Sequence, residues 1–103
     1  MHAFITHMRA KPGKRDEVMT LTKVMLEKTQ SEDGVPVYLF HTAVDQPDDF
    51  WFYDLYESPE ARSAHESSEV FGKTMGALMQ VAELVSFTQL EPYGPMKIEK
   101  PIR

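Results

Sequence analysis

The run Phe50-Trp51-Phe52-Tyr53-Asp54-Leu55-Tyr56-Glu57 constrains this chain more than any other segment. Five aromatic residues fall within residues 50–56, and an extended strand divides them between two faces. Phe50, Phe52, Asp54 and Tyr56 point one way; Trp51, Tyr53, Leu55 and Glu57 point the other. Such a strand must be covered on both sides, because each large apolar side chain left in water forfeits roughly 1.5–3 kcal/mol. One face is within reach of the chain's own helices, and the other calls for a partner. Directly behind the strand, Ser58-Pro59-Glu60 reads as a helix start with Ser as cap and Pro in the first turn, and that helix carries the imidazole of His65.

The flanking segments complete a β-α-β-β-α-β order. Residues 4–9 read as a strand closed by the turn Lys11-Pro12-Gly13-Lys14. Val18, Leu21 and Met25 recur at helical spacing, so residues 16–29 form a helix, which Ser31-Glu32-Asp33-Gly34 stops. Residues 35–44 make a second strand, with Val37, Leu39, His41 and Ala43 opposite Tyr38, Phe40 and Thr42. Asp45-Gln46-Pro47-Asp48-Asp49 reads as a polar hairpin turn into the aromatic strand. A helical stretch then runs to about residue 80, with a break expected near Ser67-Ser68 and loosening at Gly72 and Gly76, before a last strand over residues 82–91. This order predicts an α+β, ferredoxin-like domain over residues 1–91, a four-stranded antiparallel sheet with both helices on one face. The bare face predicts a homodimer in which two sheets pack together into one α/β barrel. Pro92, Gly94, Pro95 and Pro101 leave residues 92–103 as an extended tail, and the alternation of Met96, Ile98 and Ile102 with charges favours a crossing onto the partner subunit.

Composition removes several function classes. Eleven basic against sixteen acidic residues give a net charge of −5, with no dense basic block, so nucleic acid is not an expected partner. RNA-recognition motifs share the order of elements, but they begin the aromatic strand with a basic residue and glycine where this chain has Asp48-Asp49-Phe50. Without cysteine, disulfides, thiolate nucleophiles and thiolate metal sites are excluded. The histidines lack metal-ligand spacing, since His2 and His7 fall on opposite strand faces and no His-x-His pair exists, so no metal is expected. No run approaches 18 apolar residues and the N-terminus lacks a signal core, which makes a cytoplasmic protein with no membrane partner the default expectation.

Four features together resemble the antibiotic biosynthesis monooxygenase family of small dimeric α+β barrels. They are Lys11-Pro12-Gly13-Lys14 after the first strand, Gly34 before the second, Asp54-x-Tyr56-x-Ser58, and His65-x-x-Ser68-x-x-Phe71. The likeness spans roughly residues 4–90. The family includes cofactor-free oxygenases of quinols and anthrones, haem-degrading enzymes, and an isomerase of a phosphorylated signalling sugar. The haem-degrading branch has an Asn, a Trp and a His where this chain has His7, Tyr56 and Met75, so it is set aside.

The quinol branch makes a definite physical demand. Triplet oxygen reacts without a metal or flavin only if the substrate becomes electron-rich, which removal of a phenolic or benzylic proton achieves. That takes a base working near neutral pH, a dry aromatic pocket, and donors for the developing oxyanion. His65 is the natural base, and the competing reading is a histidine on the helix surface or one that caps a partner. Asp54 is the alternative base or the group that orients the imidazole, against a plain ion pair with Arg62 or Arg9. Tyr56 shares a face with Asp54, Phe52 and Phe50, and this face is favoured for the site. Phe71 and Met75 would form a helical wall or simply core. Trp51 and His41 complete the residues expected to bind substrate, although Trp51 faces away from Tyr56 and His41 could equally belong to the interface or the core. The expected activity is therefore a cofactor-independent oxidation of a small aromatic quinol, anthrone or polyphenol by O2, with no cofactor. Two alternatives stay open, a non-catalytic module for ligand binding or dimerisation, and an isomerase of a small carbonyl compound.

Overall fold

The computed structural model describes residues 1–98, so Pro101 and Ile102 of the tail lie outside the described residues. Seven elements follow in order: β1 (His2–Ala10), α1 (Arg15–Thr29), β2 (Val37–Ala43), β3 (Gln46–Tyr56), α2 (Pro59–Glu66), α3 (Glu69–Val81) and β4 (Ala82–Leu90). The strands form one antiparallel sheet in the order β2-β3-β1-β4. This is the ferredoxin-like arrangement expected from the sequence.

Register decides which side chains meet. β1 pairs with β3 so that Phe4, Thr6 and Met8 stand opposite Asp54, Phe52 and Phe50. β2 brings Tyr38 and Phe40 opposite Asp54 and Phe52. These residues share the face covered by the helices, where Met8, Phe50 and Phe52 join Val18 of α1 and Leu78 and Val81 of α3 in one buried core. The outer face carries Ile5, His7, Leu39, His41, Trp51 and Tyr53, and Leu39 there is 52% exposed.

Local chemistry explains the boundaries. Gly13 supplies the left-handed turn (φ 76°) that separates β1 from α1. Ser58 caps α2 by accepting the Ala61 N–H at 3.1 Å, with Pro59 following it, and Ser68 caps α3 by accepting the Phe71 N–H at 3.1 Å. The predicted break at Ser67-Ser68 thus has a physical cause: Ser68 leaves helical geometry (φ −67°, ψ 148°) to start a new helix. Gly72 and Gly76 do not loosen α3, which runs unbroken through both. A Cβ at either position would meet nothing, so the two glycines lie on the open side, and the packing of Leu78 and Val81 offsets their cost of about 1 kcal/mol each.

The hairpin between β2 and β3 is shorter than the sequence suggests. Its turn is Val44-Asp45, and Gln46, Pro47, Asp48 and Asp49 already belong to β3. Proline is tolerated there because the β2–β3 register jumps from Thr42↔Phe50 to Ala43↔Gln46, which leaves Pro47, Asp48 and Asp49 without a partner on β2. Asp49 then uses its carboxylate inside the sheet, accepting Arg9 Nε at 2.7 Å beside His7 Nε2 at 3.3 Å. Among the described residues past β4, 91–98, there is no helix or strand. Pro92, Met96 and Ile98 border a groove with Val37, Leu39, Tyr53 and Leu55 on the outer face of their own sheet.

Gly34, between α1 and β2, is held against α2. Its carbonyl accepts the Glu57 N–H at 2.9 Å, and a Cβ in its place would lie 2.7 Å from Ala61 Cβ. Gly34→Ala should therefore lower stability by about 1–3 kcal/mol in urea unfolding. Adding Ala61→Gly should restore most of the loss, whereas independent, additive losses would show that the two residues do not share this contact.

Candidate functional site

A cavity of about 350 Å³ lies between the inner sheet face and the helices. Its floor is Thr6, Phe40, Phe52, Asp54 and Tyr56; its roof is Met25 of α1 with Phe71, Met75 and Met79 of α3; Leu84 and Phe87 of β4 stand at one side, and Arg62 and Glu66 of α2 at another. The strand period places Asp54 and Tyr56 together, since residues two apart share a face.

These two form the polar centre. The Tyr56 hydroxyl donates to Asp54 Oδ2 at 2.8 Å. Asp54 has neither of the ion-pair partners that the sequence offers, for Arg9 is engaged by Asp49 and Arg62 Nε pairs with Glu66 at 3.1 Å while its guanidinium lies 4.1 Å over the Phe4 ring. Burial pushes the Asp54 carboxyl above its ordinary value, and the Tyr56 hydrogen bond and the pull of His65 and Arg62 only partly oppose it. Burial and the neighbouring Asp54 charge likewise push the Tyr56 phenol up, so it stays a proton donor.

His65 is 1% exposed and does not open on this cavity. It sits one layer behind the wall, with its ring 5.1 Å from Tyr38, 5.6 Å from Tyr56 and 5.2 Å from Phe71. Its Nδ1 meets Glu32 Oε1 at 2.6 Å, and Lys28 donates to the other oxygen of Glu32. Burial raises the Glu32 carboxyl, but the hydrogen bonds from Lys28 and His65 outweigh that and hold it below its ordinary value.

Of the residues expected from sequence, Asp54, Tyr56, Phe52, Phe71 and Met75 meet at the cavity. His41 and Trp51 do not. They stand on the outer face, where the Trp51 ring stacks on His7 at 4.0 Å and His41 Nδ1 meets the Trp51 carbonyl at 3.0 Å. The period of two is the reason, for both are an odd number of residues from the inner set on their strands. Phe50 is core rather than cavity lining. The carboxylate that orients the imidazole is Glu32 and not Asp54. Glu32 went unnoticed because it lies in a segment whose sequence signals only a helix stop. Arg62 and Glu66 were also missed as cavity residues, although their positions on α2 relative to Ser58 carry the signal. Among the described residues no three His, Asp or Glu side chains gather as metal ligands, and no helix is long and apolar enough to cross a membrane.

The profile of the antibiotic biosynthesis monooxygenase family matches residues 1–77, and the chain belongs to that family. Among solved structures, a candidate antibiotic biosynthesis monooxygenase from Chloroflexus aurantiacus is 25% identical, with a TM-score of 0.77 over 95% of this chain and 98% of its own. One from Deinococcus radiodurans is 20% identical, with a TM-score of 0.83 over 97% and 100%. A protein from Mycobacterium tuberculosis is 21% identical, with a TM-score of 0.82 over 93% and 98%. The latter two likenesses speak for the fold alone. No functionally curated protein matches the chain.

The raised Asp54 fixes the sign of a pH effect. The folded chain holds this proton to a higher pH than the unfolded chain, so stability falls as pH rises from the ordinary value of 3.8 through the folded one and stays reduced above it. Asp54→Asn should therefore raise the melting temperature at pH 7 and leave it nearly unchanged at pH 3. An equal shift at both pH values would trace the effect to packing instead of charge.

Proposed function

We propose that the protein is a cofactor-independent monooxygenase acting on a small aromatic quinol, anthrone or related polyphenol, with Asp54 as the base. The observation that carries this reading is a desolvated carboxylate opening on an aromatic and methionine-lined cavity with a phenol donor beside it. A carboxylate with increased proton affinity is a stronger base, and apolar walls keep a reactive anion from water. Proton removal by Asp54 makes the substrate an enolate or phenolate that passes one electron to O2. The radical pair closes a C–O bond to a peroxide, and loss of water leaves a new C=O. One oxygen atom stays in the product and the other leaves as water, so the substrate itself supplies every electron. Tyr56, already a donor to Asp54, is placed to follow the proton and to stabilise the oxyanion.

Oxygen uptake with an anthrone and a naphthohydroquinone tests the activity. Asp54→Asn should slow it about 10²–10⁴-fold, the usual worth of a positioned base. A larger loss in His65→Ala would return the base role to the imidazole, and absence of uptake with all such substrates would end the oxygenase reading. Turnover independent of O2 would identify an isomerase. Ligand-induced stabilisation without product would identify a binding module. The purified protein is expected to show no flavin, haem or metal absorbance, and a stoichiometric chromophore would overturn the cofactor-free chemistry.

The working unit in this reading is a homodimer joined through the outer sheet faces. Half-exposed Leu39 beside Trp51 and Tyr53 supports it, as does the apolar tail bordering the same surface. Light scattering at micromolar concentration should return twice 11.8 kDa. Removal of residues 93–103 should weaken the dimer, because the tail then crosses the seam onto the partner; unchanged dimer affinity would confine it to its own chain.

A further inference from the structure

One end of the cavity is built by two local features. The first is a β-bulge in β4. His7 stands opposite Ser86 and Met8 opposite Leu84, which leaves Val85 without a partner on β1. The extra residue shifts the phase of the strand, so Leu84 and Phe87 both line the cavity, where a regular strand would turn one of them outward. Phe87 then stacks on Phe4, with ring centroids 5.3 Å apart and planes 6° from parallel. The second feature is the capped start of α2, where the Arg62 N–H donates to the Ser58 carbonyl at 3.2 Å. That first turn carries the Arg62 guanidinium carbon to 4.1 Å over the Phe4 ring, and Phe4 is the cross-strand neighbour of Asp54. The guanidinium itself therefore lies on the inner sheet face, and Arg62 lines the same cavity as Asp54 and Tyr56. It is short of partners. Glu66 Oε1 is 3.1 Å from Nε but off the N–H direction, and the buried Nε has no hydrogen bond among the described residues. The Glu66 side chain is 39% exposed, so it exchanges this contact for water at little cost. A fixed cation on an aromatic surface, with its donors unspent, is a place for an anionic oxygen.

We propose that Arg62 is a specificity-determining residue of this cavity: its guanidinium takes the carboxylate of an aromatic acid, whose ring hydroxyl is then presented to Asp54. This rests on the reading of the cavity as a site for a phenol or quinol, and it narrows the ligand class to hydroxylated aromatic acids. A carboxylate fits better than a single oxyanion, because the planar fork of a guanidinium offers parallel donors that two oxygens of one group can accept. The Phe4–Phe87 stack beside it supplies the flat apolar surface that the attached ring needs.

The test uses the whole chain and needs no turnover. Calorimetry compares 4-hydroxy-2-naphthoate, whose hydroxyl and carboxylate are too far apart to bond each other, with 1-naphthol, the same ring without the carboxylate. The wild type should bind the acid about 10–100-fold more tightly, the worth of a charge-assisted hydrogen bond, and 1-naphthol should compete for the same site. Arg62→Gln should abolish that advantage while changing 1-naphthol affinity less than about twofold, since only the acid uses the charge. Glu66→Gln, which removes the competing carboxylate, should tighten the acid severalfold and leave 1-naphthol unchanged, and it keeps the test alive if Arg62→Gln folds poorly. Equal affinity of the wild type for both ligands, equal losses of both in Arg62→Gln, no gain for the acid in Glu66→Gln, or an acid that 1-naphthol does not displace would each overturn the proposal. Because these readouts involve no oxygen chemistry, the role of Arg62 is upheld if they succeed while quinol oxidation is absent, and it alone falls if oxidation persists while they fail.

Discussion

The pairing of β1 with β3 is the constraint on which the rest of the structure depends. Its register places Phe4, Thr6 and Met8 against Asp54, Phe52 and Phe50, and so sends one set of aromatic residues toward the helices and the other outward. A slip of one residue would turn Asp54 and Tyr56 to the outer face and bring Trp51 and Tyr53 under α3. The large inner side chains resist such a slip because each is matched to the helices above: Phe50 and Phe52 share one core with Val18, Leu78 and Val81. The cavity is the part of this interlayer space that the core leaves unfilled. Long, flexible Met25, Met75 and Met79 form much of its roof.

The interruption between α2 and α3 gives the site its second layer. A continuous helix after Ser58 would carry Phe71 onward in the phase set by His65. Because Ser68 begins a new helix, Phe71 returns edge-on to the imidazole at 5.2 Å, and α3 swings over the sheet to roof the cavity. The segment between α1 and β2 closes the same region from the other side through Gly34 and Glu32. Two short connections thus bury an imidazole and supply its carboxylate. The acid and the imidazole near the cavity have separate partners, Tyr56 for Asp54 and Glu32 for His65. Their environments differ accordingly, with Asp54 pushed up by desolvation and Glu32 held down by its hydrogen bonds to Lys28 and His65. Separate environments are what allow nearby acids to take different roles.

Much of this was legible in the sequence, and the reason is that it depends on local rules. Alternation along residues 50–57 sorted the strand's two faces, turn chemistry at Gly13 and Gly34 marked the crossings, and Ser58-Pro59 and Ser68 marked the helix starts. The order β-α-β-β-α-β with short connections then left one antiparallel topology, and phase put Asp54 on one strand face with Tyr56 and Phe52, and Phe71 on one helix face with Met75. The hairpin is shorter than its composition suggests because Pro47 and its acidic neighbours read as a turn, while the register jump between Thr42↔Phe50 and Ala43↔Gln46 lets them extend β3 without a β2 partner.

Tertiary structure alone decided which polar groups meet. Asp54 was within reach of Arg9, Arg62, Tyr56 or His65 on paper; the β1–β3 register gives Arg9 to Asp49, Arg62 turns to Glu66 of its own helix, and Asp54 is left to Tyr56. Glu32 and His65 are 33 residues apart, joined by a contact that no periodicity encodes. The sequence by itself determined the elements, their faces and their order, because these follow from dihedral preference and hydrophobic phase, which act over a few neighbouring residues. The partners of buried charges were settled only when the layers closed, because a hydrogen bond demands atoms within about 3 Å, a precision that the docking of one element on another sets.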